Sequence, residues 1–221
     1  MAETTLHNQL KNWYAKPGDT IEAPVAGYLI DILRGDLLVE IQTRSFSSLR
    51  SKLETLLPQH AVRLVHPIAQ EKWIVRQGKD KSKLSKRRKS PKHGRVEQVF
   101  KELVYIPHLV GKSNFSLEIL LTREEEHWVD DGRGSWRRKG WRVAERYLLE
   151  VVERVELLAP PDYLGLLPED LPDPFTTLDL AQQAGIPRRL AQQMAYSMRA
   201  MQLIQIADTK GRERFYTPLE G

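Results

Sequence analysis

Cysteine is absent from the 221 residues, which removes disulfides, thiolate zinc sites and cysteine nucleophiles together. No apolar run approaches the roughly 18 residues of a membrane-spanning helix. The first residues also lack the apolar core of a secretory signal. A soluble, cytoplasmic protein with no membrane partner is therefore expected. The six histidines, at 7, 60, 66, 93, 108 and 127, show no paired helical spacing, so histidine zinc chemistry has no support. Neither G-x-x-x-x-G-K-[ST] nor G-x-G-x-x-G occurs, leaving a ligase or phosphatase without a phosphate loop. With 41% hydrophobic residues, the chain can still bury one solid core and a small second domain.

What is present is most informative at Ile30-Asp31-Ile32-Leu33-Arg34-Gly35-Asp36-Leu37-Leu38-Val39-Glu40-Ile41-Gln42-Thr43. Two short apolar strands flank Gly35-Asp36, a dipeptide suited to a two-residue hairpin turn. That turn sets Leu33 opposite Leu38, Ile32 opposite Val39 and Asp31 opposite Glu40. Alternation then places Ile30, Ile32, Val39 and Ile41 on one face, and Asp31, Glu40 and Gln42 on the other. Opposed like charges destabilise a sheet, and a divalent cation between them would convert that cost into a binding site. The alternative is a solvated hairpin edge carrying two carboxylates with no task.

The flanking segments give the hairpin a context. Leu6, Leu10 and Trp13 form one helical stripe that includes Glu3 and stops at Pro17-Gly18. Beyond the hairpin, Phe46, Leu49, Leu53 and Leu56 face inward from a second helix, and Ala61 to Ile68 is strand-like. The order helix, strand, strand, strand, helix, strand, with acids on the second and third strands, resembles the PD-(D/E)XK nuclease superfamily. The residues that carry the resemblance are Asp31 and Glu40-Ile41-Gln42, and they lie in about the first third of the chain. The resemblance implies a restriction-endonuclease-like αβββαβ core with catalytic Asp31, Glu40 and Gln42. Gln42 stands where most members have lysine, and Lys52 on the following helix matches the position to which some members move it. Glu3 matches an acidic residue of the first helix, so Glu3, Asp31 and Glu40 would be the metal ligands. For Glu3 the other reading is a first-turn glutamate favoured by the helix dipole; for Lys52 and Arg44 it is a solvated surface cation.

Phosphodiester hydrolysis explains why these residue types are required. It needs an activated water, a polarised phosphoryl oxygen and a stabilised leaving alkoxide. Mg²⁺ (or Mn²⁺) supplies all three and prefers carboxylate oxygens and retained waters. Gln42 could orient water or phosphate, but its amide cannot neutralise developing charge as a lysine would.

The net charge of +5 and pI near 9.4 favour a polyanionic partner. Ten lysines or arginines lie between Arg76 and Arg95 against one acid, Asp80. This run includes Lys86, Arg87, Arg88 and Lys89; it is expected to be a mobile basic loop that contacts phosphate or merely solubilises. Phe115 to Val129 and Tyr147 to Leu157 suggest a hairpin with Asp130-Asp131-Gly132 near its tip. Trp136, Arg137, Arg138 and Trp141 follow that tip, and such tryptophans either stack on bases or pack beneath snorkelling arginines.

Five prolines between Ala159 and Pro174 mark a boundary. Past it, Thr176 or Thr177 caps a short helix, Ile186-Pro187 opens a longer one to about Met201, and a hairpin turns at Asp208-Thr209-Lys210-Gly211. This order resembles the latter part of a winged helix-turn-helix domain. Leu190, Met194, Met198 and Met201 would face its core, while Arg189, Gln192, Gln193, Tyr196 and Arg199 line a recognition face. Arg188, Arg189, Lys210 and Arg212 are the expected phosphate contacts, although such domains also dock proteins.

The expected chain is α/β (α+β). It comprises a nuclease-like core over 1–78, a basic linker over 79–95, a β-rich extension over 96–160, a Pro-rich linker over 161–173 and a winged helix over 174–221. The expected function is metal-dependent DNA hydrolysis, the partner duplex or branched DNA. Many such nucleases act as homodimers. The alternative is a non-catalytic DNA-binding or regulatory protein that keeps the nuclease scaffold.

Overall fold

The computed structural model describes residues 4–77, 86–134, 136 and 140–219. The first helix, α1 (Thr5–Tyr14), starts where the Thr4 side chain accepts the His7 backbone N–H. Three strands follow, β1 (Thr20–Val25), β2 (Tyr28–Arg34) and β3 (Leu37–Ile41). A 3-10 turn at Phe46–Ser48 leads into α2 (Arg50–Leu56), and then come the long β4 (Ala61–Gln77) and the short β5 (Arg88–Lys89). Residues 96–99 form another 3-10 turn before α3 (Phe100–Leu103). Next are β6 (Phe115–Val129), β7 (Arg142–Leu157), α4 (Pro160–Leu164), α5 (Thr177–Gln183) and α6 (Arg188–Ala200). The chain closes with β8 (Ile204–Lys210) and β9 (Glu213–Pro218).

The architecture is mixed α/β, with one large mixed sheet and one small second sheet. The large sheet runs β1-β2-β3-β4-β6-β7, with β5 added to β4, and the small one is β8-β9. β4 pairs in parallel with both β3 and β6, and the remaining pairs are antiparallel. A parallel β4–β6 pair requires a crossover, and the segment carrying α3 supplies it. Gly94 lies on this crossover so close to β4 that a β-carbon would collide with the Ala69 carbonyl.

Alternation along the strands divides the core between two faces. Leu38, Leu64, Leu117 and Ile119 join α2, α3, α5 and α6 in the main cluster. Val39, Ile41, Val65 and Leu120 pack against α1 in the second. The stripe of α1 is Leu6, Leu10 and Tyr14, not Trp13, which is 44% exposed. The opposing strand dictates this rotation: the Tyr14 hydroxyl donates to Glu118 on β6 at 2.5 Å, while Arg154 meets the same carboxylate at 2.5 Å. Glu118 and Glu124 are fully buried, and Arg146 meets Glu124 at 2.9 Å. Buried carboxylates persist only when so paired.

Three segments differ from the expectation drawn from composition. The basic run is not all loop, because Arg88 and Lys89 pair with Ile74 and Trp73 of β4. β3 ends at Ile41 and leaves that edge of β4 open, and Arg87 and Lys89 lie over the Trp73 ring. The Pro-rich stretch is more than a tether, since α4 buries Tyr163 and Leu164, Leu166, Leu167 and Leu171 pack on the main cluster. The last hairpin turns at Gly211-Arg212, at the end of the expected stretch rather than across it, because Asp208 to Lys210 still pair with β9. No helix among the described residues is long and apolar enough to cross a membrane.

Tyr14→Phe keeps the ring in place and strips a buried carboxylate of one donor. The expected loss is about 1.5–3 kcal/mol of unfolding free energy, the range for hydrogen bonds to charged groups. Urea denaturation of the two proteins measures it, and equal midpoints would show that Glu118 does not depend on this donor.

Candidate active site

The hairpin has the register its turn requires: Arg34 pairs with Leu37, Leu33 with Leu38 and Ile32 with Val39. The backbone ladder ends there, although β3 continues to Ile41 alongside β4. β2 and β3 thus part at Asp31, and side chains take over from the lost ladder bonds. Asp31 Oδ2 accepts the Ile41 backbone N–H at 2.7 Å, and the Asp31 backbone lies near enough to the Glu40 carboxylate to favour its ionised form. The two acids bridge a fork in the sheet.

This fork changes the facial assignment. Ile32, Val39 and Ile41 share the α1 face, but Ile30 belongs to the opposite cluster, so alternation breaks at Asp31. His7 Nε2 of α1 lies 3.2 Å from Asp31 Oδ2, whereas Lys52 of α2 reaches Glu40 from the other side. Asp31 and Glu40 do not project side by side from one flat face; each closes the fork from its own helix.

Lys52 Nζ donates to Glu40 Oε1 at 2.5 Å and to the Leu29 carbonyl at 2.6 Å. Only 14% of the Lys52 side chain and 6% of the Glu40 side chain are exposed. Burial pushes the Glu40 carboxyl up from 4.5 to about 7; the Asp31 charge adds to this rise, and Lys52 opposes it. A carboxyl balanced near neutrality between a like charge and an ammonium is a common feature of acid–base sites.

Gln42 does not approach this pair. Its amide nitrogen donates to the Ser45 carbonyl at 3.2 Å and to Ser48 Oγ at 3.0 Å, and its oxygen accepts from the Arg44 backbone. It braces the loop into α2, the helix that delivers Lys52. The Gln42 carbonyl is 2.6 Å from His66 Nδ1, and burial lowers the pKa of that imidazole. Sequence reasoning missed His7 as a partner of Asp31. Its one signal was a position next to Leu6 on the stripe that also carried Glu3. Glu3 itself lies outside the described residues, as do Arg137 and Arg138.

Asp31 and Glu40 present hard oxygen donors from adjacent strands, and Asp31 Oδ1 has no hydrogen bond among the described residues. Carboxylate oxygens are the donor type that magnesium takes, together with several retained waters. Among the described residues, no group of three or more His, Cys, Asp or Glu side chains could hold a metal. Among the described residues, only Asp31 and Glu40 would therefore ligate it.

The basic residues fall into two groups. Arg87 meets Glu125 at 2.6 Å and Lys89 meets Glu71 at 2.5 Å, so these cations are tied to the sheet. Arg88 and Lys86 are exposed. Trp136 is 84% exposed, whereas Trp141 packs on the Arg76 guanidinium, which also lies over Trp128.

On α6, Leu190, Met194 and Met198 are buried, while Arg188, Arg189, Gln192, Tyr196 and Arg199 are exposed. Thr176 and Asp179 form the capping box of α5. A groove of about 290 Å³ between α6 and the last hairpin is lined by Arg188, Gln192, Tyr196, Arg199, Arg212 and Arg214. Lys210 lies outside it, over Phe215.

Residues 4–158 match the family described as Domain of unknown function (DUF8091), and the chain belongs to that family. The matched span holds the fork and the entire large sheet, and ends before α4. An uncharacterized protein of Treponema pallidum (strain Nichols) is 34% identical over 181 residues, covering 81% of this chain and 72% of that protein. No solved structure matches.

The raised Glu40 pKa has a signed consequence. The folded state holds this proton more tightly than the unfolded chain, so its contribution is complete below 4.5 and is lost as pH rises through about 7. The loss is about 3 kcal/mol for a shift of this size. Glu40→Gln should therefore remove that fall from the stability–pH curve measured by denaturation. Parallel curves for the two proteins across this interval would contradict the assignment.

Proposed function

For this member of the DUF8091 family, we propose metal-dependent hydrolysis of DNA phosphodiester bonds at the β2–β3 fork. The C-terminal helix pair and hairpin hold the substrate. The observation that carries this reading is the meeting of Asp31, Glu40 and Lys52 where the two strands part, with the ammonium 2.5 Å from the Glu40 carboxylate. Two further features support it. The elements α1 to β4 follow the αβββαβ order of PD-(D/E)XK nucleases, with β3 and β4 parallel. The order α5, α6, β8, β9 resembles the latter part of a winged helix-turn-helix domain, whose recognition face here would be the arginine-lined groove on α6.

Each residue then has a task. Asp31, fixed by the Ile41 N–H, and Glu40, fixed by Lys52, would hold Mg²⁺ or Mn²⁺. When bound, such an ion polarises the phosphoryl oxygen and acidifies a water. Ionised Glu40 accepts a hydrogen bond from the attacking water and orients it. Lys52, arriving from α2, places positive charge where lysine of the strand motif would otherwise act, and stabilises negative charge that develops on the phosphoryl group. Gln42 acts indirectly, as the brace of the loop that sets α2. Its engaged amide also favours the second reading, a non-catalytic DNA-binding protein built on the same scaffold.

Incubation with plasmid, linear and branched DNA in Mg²⁺ or Mn²⁺ separates the two. Cleavage is expected to rise with pH through about 7, as Glu40 ionises. Asp31→Ala and Glu40→Ala should abolish it, and Lys52→Ala should slow it about 10²–10³-fold, the usual loss of one electrostatic donor. Wild-type cleavage no greater than that of Asp31→Ala on every substrate would leave the non-catalytic reading standing.

A further inference from the structure

A cavity of about 670 Å³ lies away from both the fork and the α6 groove. It opens at the seam where the sheet meets the α3 crossover and the start of α6. One wall is Thr43-Arg44-Ser45, the loop that directly follows Gln42. His66 lines it too, and its spacing of two residues from the main-cluster residues Leu64 and Ile68 puts it on their face of the sheet. The cavity therefore opens on the α2 face of the sheet, the face on which Glu40 meets Lys52.

Its charge is one-sided. Arg44, Lys72, Lys92, Arg95, Lys101 and Arg146 line it against a single acid, Glu102. Lys72, Arg95 and Arg146 are matched by Glu126, Glu97 and Glu124. Glu102 is engaged by the Phe46 backbone N–H at 3.1 Å. Lys92 and Lys101 have no ion pair among the described residues. Desolvation lowers the Lys101 pKa, the charges of Lys92 and Lys72 lower it further, and Glu102 opposes them. A cleft whose cations outnumber the acids beside them stores repulsion that a polyanion would relieve.

A second cavity of about 400 Å³ shares Gln98, Lys101, Pro187 and Leu190 with the first and adds Arg189 and Gln193 of α6. The basic surface is thus continuous from the loop behind the fork to the α6 helix. We infer that this seam is the track for the DNA backbone, with Arg44, Lys92, Lys101 and Arg189 contacting successive phosphates between the fork and α6. The inference rests on the DNA reading proposed above and adds the path, which none of the sequence motifs indicated. Phosphate contacts of this kind position a strand without reading its sequence.

Binding measured without metal tests the path independently of cleavage. Fluorescence anisotropy of a labelled DNA duplex is followed across a salt series in EDTA for wild type, for Lys92→Ala/Lys101→Ala, and for Lys16→Ala/Lys112→Ala. The last pair removes the same charge from exposed sites outside the cleft. Loss of two phosphate contacts should reduce the slope of log K against log salt by about 1.8. The cleft variant should also bind at least about tenfold more weakly at moderate salt, while the control pair matches wild type. Equal slopes for the cleft variant and wild type, or equal losses in both double variants, would overturn the track. A protein that binds through the cleft yet never cuts DNA would keep this inference and lose the nuclease. One that cuts with an unchanged slope would do the reverse.

Discussion

The ion pair between Lys52 and Glu40 is the contact on which the candidate site depends. Glu40 sits where β2 has parted from β3 while the ladder to β4 continues, and its carboxylate is buried all the same. Ionisation there requires a cation, and α2 provides one at 2.5 Å. Removing Lys52 would leave the charge buried, a change that costs about 3–5 kcal/mol unless the carboxyl takes up a proton. The position of α2 depends in turn on Phe46, Leu53 and Leu56 in the main cluster, and on Gln42, which ties the preceding loop. Packing on one face of the sheet thereby sets the protonation state of a residue at its fork.

The same physics recurs along β6. Glu118 and Glu124 are wholly enclosed, and Glu126 nearly so. Their partners come from β4, β7 and α1: Lys72 for Glu126, Arg146 for Glu124, and Arg154 with Tyr14 for Glu118. These pairs cross between elements distant in sequence, and they fix α1 and β7 against the central strands. Holding α1 in place also holds His7 beside Asp31.

Much of this was legible where chemistry is local. Gly35-Asp36 set a hairpin register that the strands follow, and Thr176 set the start of α5 through its capping box. The apolar spacing of Leu190, Met194 and Met198 distinguished the buried side of α6 from its cationic side. Features made by distant partners were not legible. Tyr14 displaces Trp13 from the core because Glu118, 104 residues away, needs a donor. Asp31 leaves the alternation where β2 stops pairing with β3, which runs on beside β4 alone. The basic seam exists only because the α3 crossover and α6 meet beside β4, and no single segment carries its pattern.

If Asp31 and Glu40 form a metal site, a paramagnetic ion must act there first. Titration of the protein with Mn²⁺ above neutral pH, followed by the backbone amide NMR signals, tests this directly. The signals of Asp31, Glu40 and Ile41 should broaden before all others, and Glu40→Gln should abolish the effect. Broadening that spares these amides, or that persists in Glu40→Gln, would contradict a metal site at the fork.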